Sequence, residues 1–228
     1  NYVSPSRPNC FTLLVGKMWF WGIMGFRAAI ISGALACLLS ANSALAFGSG
    51  TKNTAPEFGK TLPPVGFVKF CATNPDDCKT RSAAHERIAM SPERWNQLYL
   101  INAYVNGKIA PISDQDLYGE AEHWAYPTDA GDCEDYVLLK KRQLEGLGFS
   151  AEALLITVVL DEKNEGHAVL TVTTDAGDYV LDNRFDKVSR WNDTHYKFLK
   201  RQSHANPLQW VALIKQSTSN SGFVASGN

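Results

Sequence analysis

Cysteine is scarce in this chain, five residues in 228, and methionine scarcer still at three. Charge of one sign is also missing: 22 Lys and Arg stand against 23 Asp and Glu, a formal net charge of −1. No basic tail or patch breaks that balance, which argues against a nucleic-acid partner. No internal repeat appears. The spacing of an EF-hand calcium loop is absent too. The first 46 positions hold no acid at all, only Arg7, Lys17 and Arg27. Without them the balance is 19 basic to 23 acidic residues, about −4. Over the whole chain there is ample material for a core: 45% hydrophobic content with six Trp, eight Tyr and eleven Phe. That suits one domain.

The acid-free segment reads as an export signal. Met18 and Met24 are candidate starts, and Met24-Gly25-Phe26-Arg27 gives a short positive stretch. Residues 28–39 are apolar, and Ala44-Leu45-Ala46 is a small-residue cleavage site. The expectation is a periplasmic protein: residues 1–46 removed, 47–64 a loose leader, 65–215 the working domain and 216–228 a frayed tail. A retained membrane anchor is the alternative.

Cys10 and Cys37 leave with the signal region. Cys71 and Cys78 flank a turn-rich stretch and are either a disulfide, which an oxidising compartment favours, or two free thiols. Cys133 then has no partner. A lone thiol in an exported protein is either buried and inert or reactive.

Hydrophobic patterning places the elements around it. Phe67-Val68-Lys69-Phe70 alternates as a short edge strand, and residues 82–90 read as a brief helix. Ser91-Pro92-Glu93 opens a helix, with Ser as cap and Pro at the first turn. Trp95, Leu98, Asn102 and Val105 recur on its face, widened by Leu100, Ile101 and Tyr104, and Gly107 stops it. Residues 112–131 form a long polar loop carrying Asp114, Asp116, Glu120, Glu122 and His123, of a length that is often functional. A second helix runs from Cys133 to about Glu145, with Val137, Leu138, Leu139 and Leu144 as its buried face. Strands follow over residues 152–160, 166–174 and 179–182, then over 191–201 and near 210–213.

Cys133 thus begins a helix, where free N–H groups favour a thiolate. His167 opens one strand and Asp182 closes the next, across a short turn at 175–178. A thiol, a ring nitrogen and a carboxylate in that order suit a nucleophile, its base and the group that orients the base. His85, His123, His195 and His204 have no comparable setting. The Cys133 backbone N–H is the candidate oxyanion donor. Asp132, Glu134 and Asp135 crowd the thiol with negative charge, which favours its neutral form. Clustered carboxylates also suit calcium, which takes six to eight oxygen ligands.

The run Gly131-Asp132-Cys133-Glu134-Asp135-Tyr136, with Trp124 and Pro127 ahead of it and Lys140 and Gly148 after it, resembles the bacterial transglutaminase-like cysteine proteinases. Gly166-His167-Ala168, Leu181-Asp182-Asn183, Gln202-Ser203 and Trp210 extend the likeness over about residues 65–213. The resemblance implies an α+β, papain/transglutaminase-like fold, with a helical N-terminal part and the nucleophile helix packed on an antiparallel sheet. It implies Cys133, His167 and Asp182 as the catalytic triad. It implies calcium held by Asp132, Glu134 and Asp135. It further implies a periplasmic, calcium-dependent endopeptidase of the LapG type, cutting a surface adhesin and governed by an inner-membrane receptor. Two rivals stay open: acyl transfer to an amine by the same triad, and a non-catalytic calcium- or receptor-binding module on the same scaffold.

Overall fold

The structure, a computed structural model, describes residues 53–80 and 87–215. The signal-peptide and tail assignments lie outside those residues. Chain order begins with β1 (Lys60–Thr61) and α1 (Val65–Thr73), then α2 (Pro92–Lys108), β2 (Ala110–Pro111), α3 (Asp114–Tyr118), β3 (Ala130–Gly131) and α4 (Cys133–Gly146). Six strands follow: β4 (Leu154–Leu160), β5 (Gly166–Thr174), β6 (Gly177–Leu181), β7 (Ser189–Arg190), β8 (Lys197–Gln202) and β9 (Trp210–Ala212). The main sheet has the order β1-β9-β8-β4-β5-β6-β7, and every pairing in it is antiparallel. The α+β expectation, with the nucleophile helix on an antiparallel sheet, holds.

The two faces of β5 explain the layering. Ala168, Leu170 and Val172 join Leu154, Ile156 and Leu181 in the core beneath α4, where Val137, Leu138 and Leu144 meet them. Val169 lies on the other face with Val159, Val180, Phe198 and Leu213. With both faces covered, β5 is buried everywhere but Gly166. The same alternation puts His167 on the Val169 face. Leu170 pairs with Leu181, so Asp182, one step on, falls on that face as well.

Several local expectations need correcting. Residues 67–70 are helical, not an edge strand: Phe67 and Phe70, three apart, are both buried while Val68 is exposed. A four-residue apolar pattern cannot separate the two periods, and tertiary packing decided it. The described part of the 82–90 segment is extended, with Ile88 bridging Thr174. The stretch taken for a loose leader is tied down from residue 53: Ala55 is buried, Phe58 N–H donates to Ala212 O at 2.8 Å, and β1 pairs with β9. Arg201, 1% exposed, holds this strap by bonding both Asp178 Oδ2 and Glu57 Oε1 at 2.8 Å.

In α2 the Ser91 cap is present, its Oγ accepting from Arg94 N–H at 3.1 Å, but the helix runs to Lys108, past Gly107. Leu98, Asn102 and Val105 are buried as expected, whereas Leu100 and Tyr104 face solvent. Leu139 on α4 is only half-buried. The polar loop contains α3 and is closed by β2 and β3, which pair in parallel. Of the strand expected at 191–201, only the second half forms; Trp191–Asp193 is a single 3₁₀ turn. Cys71 and Cys78 are bonded, with Cα atoms 5.7 Å apart. So short a closed loop contributes about 2 kcal/mol by limiting the unfolded chain.

Candidate active site

Cys133 is the first residue of α4, with Asp132 as its N-cap. Helix geometry leaves the first amides without intrahelical partners, so the Cys133 N–H sits at the positive end of the helix. The sulfur reaches the sheet: Ala168 N–H donates to Cys133 Sγ at 3.3 Å. That amide is open to it because the β5–β6 ladder reaches only as far as Leu170 and Leu181. The neighbouring His167 is 6% exposed, and its Nε2 lies 2.9 Å from Asp182 Oδ1. With Nε2 so engaged, Nδ1 is the ring atom left for the sulfur. Cys133 and His167 line one cleft of about 310 Å³, together with Pro64, Trp124, Val158 and Lys200. The three residues singled out from the sequence are thus brought together.

Asp182 is fixed on both oxygens. Oδ1 also accepts from Arg184 N–H at 3.0 Å, and Oδ2 accepts from the Tyr196 hydroxyl at 2.5 Å. Burial alone would raise the Asp182 pKa, but the bonds from His167, Tyr196 and Arg184 outweigh it and leave the group below the ordinary value. The ionised Asp182 holds the imidazole in one orientation.

Burial, then the charge of Glu134, hold the Cys133 pKa well above its usual value. The sulfur donates its proton to Glu134 Oε2 at 3.1 Å, and among the described residues no hydrogen bond joins it to the imidazole. Glu134 is itself raised, by burial and then by Asp132.

Three carboxylates meet beside this point, though not the three first expected. Asp114, Asp132 and Asp135 bring ligand oxygens within 4.8 Å of one another, while Glu134 groups with Asp132 and Cys133 instead. Each of the three aspartates has one oxygen tied to backbone. Asp132 Oδ2 accepts from Asp114 N–H at 3.3 Å, Asp135 Oδ1 from Ala125 N–H at 2.8 Å, and Asp114 Oδ2 from His123 N–H. The other three, Asp114 Oδ1, Asp132 Oδ1 and Asp135 Oδ2, are buried with no hydrogen-bond partner. Burial raises Asp114, and it pushes Asp135 up to about 7. Buried, converging, unpartnered carboxylate oxygens are the donor set of a hard cation and fit calcium. Gly131 is required here, because a Cβ would come within 2.5 Å of Asp135 Oδ2. Asp114 was visible in the sequence only as one acid of a polar loop. Tyr196 carried no signal.

The family model for the bacterial transglutaminase-like cysteine proteinases matches residues 57–218. Among solved structures, the chain is similar to calcium-bound LapG of Legionella pneumophila, at 22% identity and a TM-score of 0.45 over 57% of this chain and 75% of that one. A further LapG structure from the same organism gives 24% identity and a TM-score of 0.45, covering 55% and 71%. The EGTA-treated form gives 22% and 0.41, covering 47% and 62%. No curated protein matches. The match over most of the chain places this chain in the bacterial transglutaminase-like cysteine proteinase family, as a cysteine protease.

Proposed function

We propose that the protein is a periplasmic, calcium-dependent cysteine endopeptidase that cuts a surface or exported protein of the adhesin type. The observation that carries the reading is the His167–Asp182 pair set beside Cys133 in an open cleft. His167 Nδ1 takes the thiol proton as Sγ attacks a peptide carbonyl. The Cys133 N–H, at the positive end of α4, is placed to stabilise the developing oxyanion. His167 then returns the proton to the leaving amine, and the S-acyl enzyme is hydrolysed by water that His167 deprotonates. Asp182 keeps the ring in register throughout. Asp114, Asp132 and Asp135 would hold the calcium, which supplies counter-charge to the acids around the helix start.

A protein substrate follows from the family. Export, the adhesin-type target and an inner-membrane receptor that restrains the enzyme belong to the same proposal, and their support is the signal-like segment and the motif resemblance. The reading as a non-catalytic module gives way to the proteinase assignment.

The test is incubation of the purified protein, with calcium and a labelled amine, alongside surface and exported proteins of the same cell. Hydrolysis at a defined bond, seen as one new N-terminus, supports the peptidase. Amine incorporation without chain cleavage would replace it with acyl transfer.

A further inference from the structure

Asp182 has two oxygens, and they are held differently. Oδ1 accepts from two donors, His167 Nε2 at 2.9 Å and Arg184 N–H at 3.0 Å. Oδ2 has one donor among the described residues, the Tyr196 hydroxyl at 2.5 Å. The carboxylate is 4% exposed. The Arg184 N–H holds Oδ1, and the Tyr196 hydroxyl is the described donor that holds Oδ2 against turning about the Cβ–Cγ bond.

Tyr196 is itself well placed. It lies between the Trp191–Asp193 turn and β8, and its ring centroid is 5.5 Å from that of His167. Burial, then the hydrogen bond to Asp182, raise its pKa, so the hydroxyl stays protonated and remains a donor. The Arg184 side chain interacts with Tyr196 in turn, and its guanidinium bonds Asp161 Oδ2 at 2.9 Å. A continuous chain thus runs from Asp161 through Arg184, Tyr196 and Asp182 to His167.

We infer that Tyr196 is a positioning residue of the catalytic machinery, locking the Asp182 carboxylate so that its Oδ1 holds the His167 ring in line with Cys133. This rests on the peptidase reading and extends it by one residue. Tyr196 lines a separate cleft of about 420 Å³ with Asp182, Val180 and Phe185, whereas the cleft holding Cys133 is lined by other side chains. Its loss should therefore change turnover and not substrate binding.

The experiment compares Tyr196→Phe, Tyr196→Leu and Asp182→Ala, and the double variant Tyr196→Phe/Asp182→Ala, in the calcium-loaded protein. Each is assayed for peptide cleavage and for alkylation of Cys133 by iodoacetamide. Removing a donor to a buried charge is expected to lower kcat about tenfold or more, with KM within about twofold. Tyr196→Phe should account for nearly all of the Tyr196→Leu loss, because the hydroxyl and not the ring is responsible. In the double variant the Phe substitution should add nothing, since its target is gone. Wild-type turnover in Tyr196→Phe, or a loss that multiplies undiminished onto Asp182→Ala, would overturn the proposal. If the wild-type protein cleaves no substrate, the peptidase reading fails separately. The alkylation rates then decide the role of Tyr196: slowing in Tyr196→Phe to match Asp182→Ala supports it, and an unchanged rate refutes it.

Discussion

Replacing Cys133 with alanine is expected to reduce peptide cleavage by about 10⁴-fold or more, with the fold retained. The effect is large because no other described side chain can take over the attack: the remaining cysteines of the domain, Cys71 and Cys78, are bonded to each other. His167 without the sulfur could still act on water, but the acyl-enzyme route is closed. Stability should change little. Cys133 is a half-buried residue packed against the core, and its sulfur accepts one N–H from Ala168 and gives one proton to Glu134. The check is cleavage kinetics of the purified variant beside its melting curve. An alanine variant that cleaves within tenfold of wild type would remove Cys133 from the chemistry.

Calcium removal is the second large effect. Chelation is expected to lower cleavage about a hundredfold or more and to slow alkylation of Cys133 at neutral pH. In the metal-free protein, burial and Glu134 keep the thiol protonated. Counter-charge at Asp114, Asp132 and Asp135 would relieve part of that burden and fix the start of α4. Stability offers an independent readout, with the sign set by the carboxylates. Asp135 is pushed up to about 7 by burial, and Asp114 is raised by the same cause. Unfolded aspartates titrate near pH 4, so the metal-free native state binds extra protons between about pH 4 and 7. Its stability is therefore full below that window and falls as pH rises through it. The melting temperature in EGTA should drop between pH 5 and pH 8, and calcium should abolish the drop by favouring the ionised carboxylates. Equal melting temperatures across that range in EGTA, or equal alkylation rates with and without calcium, would contradict the account.

The candidate catalytic residues are easier to read from the sequence than the scaffold that aims them. A lone thiol at a helix start, a histidine opening a strand and an aspartate ending the next are tied to local patterns, and β5 and β6 put His167 and Asp182 on one face by alternation alone. The acidic site shows where local reading runs out. Asp132, Glu134 and Asp135 are adjacent in the chain, but successive positions on a helix point about 100° apart. Glu134 consequently turns to the sulfur, while Asp132 and Asp135 meet Asp114. What brings Asp114 there is a parallel pairing of two two-residue strands, Ala110–Pro111 with Ala130–Gly131, which leaves no periodic trace. Tyr196 was hidden for a similar reason. It sits in irregular chain after a turn, and only the packing of β8 against β4 carries it to Asp182. The strap from residue 53 looked like linker by composition; its hold depends on Arg201 and Asp178, more than a hundred residues away.

The central claim is that a ring nitrogen from β5 activates the sulfur at the start of α4. It is tested most directly by the rate at which iodoacetamide alkylates Cys133 at pH 7 in the calcium-loaded protein and in its His167→Ala variant. An unassisted thiol with an ordinary pKa is only a few per cent thiolate at that pH. The wild-type protein is expected to react about tenfold faster than the variant or more. Equal rates in the two proteins would contradict the account.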